Sequence, residues 1–250
     1  MLTYQDYEKA TDKLSFIQKL ISEHKTSPLV QTALTADEYD RQRNTTINKF
    51  IQRIYTMKGQ AVENKFATNN KRASNFFRIL NRQRCMFLLG NGVTLKEETK
   101  KKLGVDFDTQ IQRAGYRALI HGISFVFLNL DKVHVFPVTE FAPMWDEESG
   151  ILRAGVRYWQ LDSTKPLMVT LYEPDGYTTY SKGKKDKTFV LVNDKRAYKR
   201  TVAKAPVDAV PEVVGEENYD GALPIVPFWG SELKQSTLIG MREGIDSYDL

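Results

Sequence analysis

The chain has 250 residues, which is enough for one large or two small domains with a sizeable core. Hydrophobic residues make up 41% of it and charged residues 27%, a composition typical of soluble globular proteins and not of disordered chains. Lys and Arg outnumber Asp and Glu by 36 to 31, and the resulting net charge of +5 weakly favours a polyanionic partner.

The sequence shows no signal peptide and no membrane span. Residues 1–8 lack the basic start and apolar core of a signal peptide, and the longest apolar run, 123–130, is far too short to cross a bilayer. The single Cys85 permits no internal disulfide and no cysteine-rich metal site. These features predict a protein of a reducing cytoplasm with no membrane partner.

Apolar residues at three- and four-residue spacings predict helices in the first half of the chain. The predicted ranges are 4–24, 36 to about 57, 70 to about 89 and about 108–120. Pro28 separates the first two helices, Gly90 stops the third, and Gly122 stops the fourth, whose N-cap is Asp106 or Asp108. One face of the third helix is predicted to consist of Ala73, Phe77, Leu80, Arg84 and Phe87.

After Gly122 the apolar period changes to two, which predicts strands. Their ranges are 123–130, 133–138, 152–160, 167–172, 177–181, 188–192 and 197–203. Turn residues at 148–150, 173–176 and 193–194 predict antiparallel hairpins, and residues 206–221 read as a loop. The fold class is therefore α+β, with N-terminal helices followed by an antiparallel β meander.

The last segment predicts a strand at 223–228, a turn, and a helix from residue 236. Ser236 or Thr237 is the candidate N-cap. The apolar face of this helix consists of Leu238, Met241, Ile245 and Tyr248. No Gly, Asn or Pro closes the helix before Leu250, so we expect it to continue and expect this face to contact another chain or further sequence.

Charge is segregated along the chain between residues 181 and 224. Residues 181–204 carry nine Lys and Arg against two Asp, whereas residues 205–224 carry five acids and no base. One interpretation is a nucleic-acid contact made by Lys182, Lys184, Lys185 and Lys187. The other is a solvated hairpin tip beside an acidic surface loop.

A search for catalytic and metal-binding patterns yields none that is convincing. His24, His121 and His134 lack the i, i+4 pairing or a neighbouring acid that a metal site needs, and Cys85 lies inside a helical pattern. Residues 182–188 lack the first glycine and the Gly-Lys-Thr ending of a phosphate loop. We therefore predict no catalytic residue, no cofactor and no metal, and no enzymatic activity.

Two acidic groupings leave a small enzyme as an alternative. Residues 146–148 are three consecutive acids that could ligate a hard cation, although such runs more often cap turns. Asp175, with the distant Glu232 and Lys234, matches the acid-and-lysine set of some metal-dependent nucleases.

Three stretches give the chain a resemblance to the portal proteins of tailed bacteriophages, in particular those of long-tailed siphophages. The first is the Asn-led helix of residues 69–93, which ends in an apolar-Gly-x-x-Val turn. The second comprises the strand 133–138, the acidic turn 144–146 and the Arg-aromatic strand 153–159. The third comprises the Leu-Pro-Ile strand 223–228 and the Ile-Asp-x-Tyr signature at 245–248. Trp229-Gly230 departs from the Asn residues that the family tends to show there.

The resemblance implies that residues 1–222 form a wing-like domain and that residues 223–250 form a strand, a turn and the start of a stem helix. It also implies a homo-oligomeric, dodecameric ring in the virion, assembled in the cytoplasm of the bacterial host. Such a ring sits at one capsid vertex, nucleates the shell, and docks the packaging motor (terminase) and the head-tail connector proteins. Double-stranded DNA passes through it during packaging and genome ejection. The alternatives are a basic nucleic-acid-binding domain and a metal-dependent nuclease.

Overall fold

The computed structural model describes residues 2–64, 71–130, 132–184, 186, 188–202 and 213–249. The helices in these ranges are α1 (Tyr4–Lys9), α2 (Lys13–Thr26), α3 (Pro28–Asp40), α4 (Thr45–Lys49), α5 (Phe76–Leu89), α6 (Glu97–Lys102), α7 (Phe107–His121) and α8 (Leu238–Asp249). The strands are β1 (Arg53–Tyr55), β2 (Ala61–Glu63), β3 (Ile123–Asn129), β4 (Lys132–Pro137), β5 (Phe141–Trp145), β6 (Leu152–Trp159), β7 (Leu167–Glu173), β8 (Gly176–Lys182), β9 (Val190–Arg196), β10 (Lys199–Val202), β11 (Val213–Glu217) and β12 (Ile225–Trp229). This is the predicted α+β class, with N-terminal helices, antiparallel sheets and a C-terminal helix.

The first two predicted helices have different boundaries in the structure. The range 4–24 is divided into α1 and α2, because the Asp12 carboxylate accepts hydrogen bonds from two backbone amides and caps a new helix. The predicted helix 36–57 is wrong. Pro28 does not merely end a helix but occupies the first turn of α3, a position that suits its fixed φ and missing N–H. The chain leaves this helix at Arg41 and continues into α4, β1 and β2.

The third and fourth predicted helices are present, with small changes. Helix α5 begins at Phe76, and Asn70, where the prediction began, lies outside the described residues. Helix α7 ends at Gly122, whose φ of 92° is one that glycine adopts without strain. Helix α6 was missed because its sequence, Glu-Glu-Thr-Lys-Lys-Lys, has no apolar period, and none of its residues is buried.

The strands form a five-stranded meander in the order β5-β6-β7-β8-β9 and a three-stranded sheet in the order β12-β3-β4. The turns at 148–150 and 173–176 join consecutive strands as predicted, but residues 193–194 lie inside β9 and form no turn. Strand β5 was missed, since its residues do not alternate between polar and apolar and include Pro143.

The two oppositely charged segments meet in one hairpin. Strand β10 pairs with β11, which places Lys199 opposite Glu217 and Arg200 opposite Glu216. The Arg200 guanidinium lies 2.5 Å from the Glu216 carboxylate. The prediction that 206–221 is a loop is therefore wrong for 213–217, while residues 206–212 lie outside the described part. Cross-strand pairing within the chain therefore accounts for part of the charge segregation.

The molecule has four layers with core residues between them. In order, the layers are the helices α1 and α2, the five-stranded sheet, the three-stranded sheet, and helix α7. One face of the five-stranded sheet packs on α2 through Ile17, Leu20, Ile21, Met144, Val156, Val169 and Leu171. Its other face meets the three-stranded sheet through Phe125, Phe127, Phe136, Phe141, Leu152 and Tyr172. Val126 and Val133 point the opposite way, toward Ala114 of α7. The period-two alternation thus directs each strand into two separate cores.

Candidate interaction surface

Helix α8 packs against helices of its own chain. Leu238 and Ile245 are only 2% and 6% exposed, in a cluster with residues of α3, α5 and α7. The members of this cluster are Ala36, Tyr39, Phe77, Ile120, Leu238 and Ile245, with Tyr116 and Met241 packed against it. The expectation that this apolar face has no partner within the chain is therefore wrong for Leu238, Ile245 and Met241. Only Tyr248, which is 70% exposed, keeps most of its surface in water.

The start of α8 is fixed against the end of α7. The Ser236 hydroxyl accepts a hydrogen bond from the Leu238 amide at 3.1 Å, which confirms Ser236 as the cap, and it donates to the carbonyl of Ile120. Thr237 donates to the carbonyl of Leu119 at 3.0 Å. A side chain at Gly122 would lie within 2.9 Å of the backbone at 235–236, so this contact requires glycine.

The end of α8 is held by two carboxylates. The hydroxyl of Tyr39 donates to Asp246 at 2.5 Å, and the side-chain amide of Asn44 donates to Asp246 and to Asp249, both at 2.9 Å. The second oxygen of Asp249 accepts from the backbone amide of Ser74, also at 2.9 Å. Because Asp249 is buried and receives two donors, its charge is compensated within the protein. These bonds fasten α8 to α3, to α4 and to the segment that leads into α5.

Helix α5 turns a different face to the core than the sequence predicted. Its buried residues are Phe77, Asn81 and Cys85, which follow one another at four-residue intervals. Leu80 and Phe87, predicted to share that face with Phe77, are 42% and 89% exposed. The prediction failed because both sides of the helix are apolar, and a buried asparagine marks the inner one. Asn81 donates to the Phe77 carbonyl at 2.9 Å and accepts from Thr237 at 2.8 Å.

The outer side of α5 and the neighbouring tyrosine of α8 form one exposed apolar surface. We call it the α5 face, and its members are Phe76, Ile79, Leu80, Phe87 and Tyr248. Their exposed fractions range from 41% at Phe76 to 89% at Phe87. The rings of Phe76 and Tyr248 meet edge to face with centroids 4.8 Å apart, which connects the two helices at the start of α5. Exposed apolar patches of this kind mark interaction sites in soluble proteins.

Beside the α5 face lies a basic cleft between α5 and α7. Arg78 and Arg82 of α5 and Arg113 of α7 line a cavity of about 300 Å³. All three are exposed, and the structure shows no ion pair to any of them among the described residues. The nearby Asp40 accepts a hydrogen bond from Tyr116 at 2.5 Å. This cluster of arginines, formed by two separate helices, was not visible as a run in the sequence.

The predicted lysine contact is only partly described. Lys182 ends β8, is half-buried and lies 5.5 Å from the ring centre of Phe189, while Lys184 is exposed. Lys185 and Lys187 lie outside the described residues. Of the two described lysines, neither Lys182 nor Lys184 forms a hydrogen bond or ion pair with a described residue of the arginine cleft.

Each histidine has a structural environment of its own. His24 is buried and bonds through Nδ1 to the Tyr158 hydroxyl at 2.9 Å, and burial lowers its pKa to about 4. His121 is not without an acid, as the sequence suggested, because α3 places Asp37 3.0 Å from its Nε2. Burial opposes ionisation of Asp37, but the hydrogen bond from His121 and the charge of Arg117 lower its pKa overall. No sequence spacing could have revealed this pair.

His134 and the acidic residues considered as metal ligands also have structural contacts. Burial and the charges of Arg157 and Lys132 lower the pKa of His134, which stacks on Phe127. Asp175 is 2.5 Å from Lys195, and Asp146 caps its own turn by accepting from Ser149 at 2.7 Å. Within the described ranges, no three His, Cys, Asp or Glu side chains are grouped closely enough to hold a metal ion. None of the helices described there is long and apolar enough to span a membrane.

Comparison with known proteins adds no assignment. No protein-family model matches the chain, and no curated protein matches its sequence significantly.

Proposed function

We propose that this chain is a structural subunit of the portal ring of a tailed bacteriophage. The observation that carries the proposal is the α5 face, because it is an apolar surface that stays exposed among the described residues. Two of the stretches on which the resemblance rests meet there. The Asn-led helix supplies α5, and the Ile-Asp-x-Tyr signature supplies the buried Ile245, the bonded Asp246 and the exposed Tyr248.

In this proposal the function is geometric and involves no catalysis. Subunits associate head to tail, so that one surface of each copy covers a different surface of the next, and the contact closes into a ring. The ring forms the channel for double-stranded DNA at the capsid vertex of the virion. The packaging motor, the capsid and the head-tail connector proteins are its other partners.

The test is the oligomeric state of the chain and its dependence on the α5 face. Mass photometry and negative-stain electron microscopy of the purified chain should show closed rings. Replacing Phe87 by Ser removes a side chain that is 89% exposed, so the fold should be retained while each subunit contact loses about 2 kcal/mol, roughly 30-fold in its dissociation constant.

The matched control is Leu161→Ser, which changes an apolar residue that is 86% exposed between β6 and β7, away from α5 and α8. It should assemble as the parent chain does. A chain that remains monomeric at all accessible concentrations, or a Phe87→Ser variant that assembles as well as the Leu161→Ser control, would contradict the proposal.

The arginine cleft favours a second candidate, a nucleic-acid-binding module. Arg78, Arg82 and Arg113 are free of carboxylate partners among the described residues and could contact phosphates. If this is the main function, the monomer should bind double-stranded DNA with an affinity that falls steeply with salt. Replacing the three arginines by Gln should then weaken binding and flatten its salt dependence.

The four lysines of the predicted hairpin tip provide a comparison for this second candidate. Replacing Lys182, Lys184, Lys185 and Lys187 by Ser should change the free energy of unfolding by less than about 1 kcal/mol, the scale of surface substitutions. If this variant loses DNA binding and the arginine variant does not, the tip is the contact and the cleft is not. Metal-dependent cleavage of a plasmid by the purified chain would instead favour the nuclease alternative.

A further inference from the structure

The segment between α4 and α5 extends from the molecule as a hairpin without a core. We call residues 50–63 the arm. Its strands β1 and β2 have three residues each, pair antiparallel with Ile54 opposite Val62, and are exposed at every position. Six large apolar side chains of the arm are 45% exposed or more, namely Phe50, Ile51, Ile54, Tyr55, Met57 and Val62. Met57, at the turn, is fully exposed.

A hairpin of this size is not expected to be stable by itself. Isolated two-stranded hairpins are marginal in water and need a third strand or a helix to cover an apolar face. Ile54 and Val62 point to one side of the arm and Tyr55 to the other, so both sides present apolar surface. Burial of these side chains by another surface would supply the missing stabilisation.

We infer that the arm of one copy of this chain packs on the α5 face of a second copy. This inference rests on the proposed function and names the two surfaces that form the subunit contact. In the structure of the single chain both surfaces are exposed, so the arm does not cover the α5 face of its own molecule. Each copy thus offers one arm and one face, and the two differ, as a head-to-tail ring requires.

The amount of apolar surface agrees with a specific contact. The five members of the α5 face are 41–89% exposed, and the six large apolar side chains of the arm are 45% exposed to fully exposed. Only one side of the arm can pack on the α5 face, so at ~80–150 Å² for each buried side chain the contact would bury roughly 800–1,000 Å², at the lower limit for a biological interface.

Disulfide trapping between two differently marked chains tests the inference directly. In a Cys85→Ala background, chains carrying Arg53→Cys are mixed with isotope-labelled chains carrying Gln83→Cys, and the mixture is oxidised mildly. Both positions are exposed and polar and lie beside Tyr55 and between Phe76 and Phe87, so the variants should fold and keep the apolar contact, with urea midpoints that match the background chain. We expect a linked species of about twice 28.7 kDa that contains one labelled and one unlabelled chain.

The control pairs Leu161→Cys with Gln83→Cys under the same conditions and should give no more than background linkage. A second measurement uses one chain that carries both Arg53→Cys and Gln83→Cys at high dilution. If this chain closes an internal disulfide as a monomer, the arm covers its own α5 face and the inference is wrong.

The remaining outcomes separate the inference from the proposed function. Rings that form without a link between positions 53 and 83 would overturn the inference and leave the portal proposal standing. A chain that forms neither a linked species nor any assembly would overturn both. A linked species in the mixed sample, with none in the Leu161 control, supports both.

Discussion

Replacing Asp246 by Ala should detach the end of α8 and destabilise the protein by about 3 kcal/mol. Asp246 is only 15% exposed at its side chain and accepts from Tyr39 and from Asn44. A hydrogen bond to a charged group contributes about 1.5–3 kcal/mol. We use the low end for each bond because Tyr39 keeps its bond to Thr46 and Asn44 keeps its bond to Asp249. The ion pair with Arg242, whose side chain is 48% exposed, is long at 3.6 Å and adds little.

Urea unfolding followed by circular dichroism measures this effect. With a slope of ~3 kcal/mol per molar for a chain of this size, the midpoint of Asp246→Ala should fall by about 1 M. The control is Glu243→Ala, which removes an exposed carboxylate from the same helix and should change stability by less than about 0.5 kcal/mol. Hydrogen exchange should also accelerate across α8 in the Asp246 variant before the rest of the protein.

If Asp246→Ala and Glu243→Ala unfold at the same urea concentration, the two bonds to Asp246 do not stabilise the protein. Helix α8 would then be held by its apolar contacts and by the bonds of Ser236 and Asp249, and Leu238→Ala would be the damaging change. Leu238→Ala leaves a cavity in place of a side chain that is 2% exposed, and should lower the free energy of unfolding by about 2–5 kcal/mol in either case.

Three further predictions use the same unfolding assay. Burial lowers the pKa of His24 to about 4, so below pH 6.5 the unfolded chain binds a proton at this residue while the folded chain does not. The free energy of unfolding should therefore fall by about 3 kcal/mol between pH 6.5 and 4, and His24→Gln should remove this loss. Gly122→Ala should lower the free energy of unfolding clearly more than Gly150→Ala, because both glycines have positive φ but only Gly122 lies against backbone atoms within 2.9 Å of the added carbon. Equal losses would show that the close backbone contact does not matter. Gly240→Ala and Gly244→Ala, within α8 and facing open space, should each stabilise by about 0.5–1 kcal/mol, and a loss of stability would show that these positions pack on something.

The parts of the fold that could be predicted from sequence depend on local chemistry. Gly122 ends α7 by its own conformational freedom, and Ser236 caps α8 through an amide two residues away. The hairpin turns at 148–150 and 173–176 likewise contain the residues that close them. In each case the sequence signal and the interaction lie within a few residues of one another, so no tertiary information is needed.

The parts that could not be predicted depend on contacts between distant segments. Asn81 can face the core only because Thr237, 156 residues later, bonds to its carbonyl oxygen. Without that contact, the apolar side with Leu80 and Phe87 is the reasonable choice for the buried face. The same applies to His121, whose partner Asp37 lies on another helix. The candidate surface was therefore misassigned from the sequence, which placed it on α8 instead of α5.

The distribution of charge in the folded chain indicates which of its surfaces can contact a partner through charge and which through apolar side chains. The basic strand β10 is neutralised by the acidic strand β11, and Lys195 is engaged by Glu173 and Asp175. The α5 face and the arm consist mainly of aromatic and aliphatic side chains. If the chain self-associates through these two surfaces, as proposed, apolar burial would drive the association and salt would not screen it, whereas phosphate contacts at the arginine cleft would weaken as salt rises. The proposed assembly and the alternative DNA contact would therefore depend on different physical forces, and a salt titration would separate one from the other.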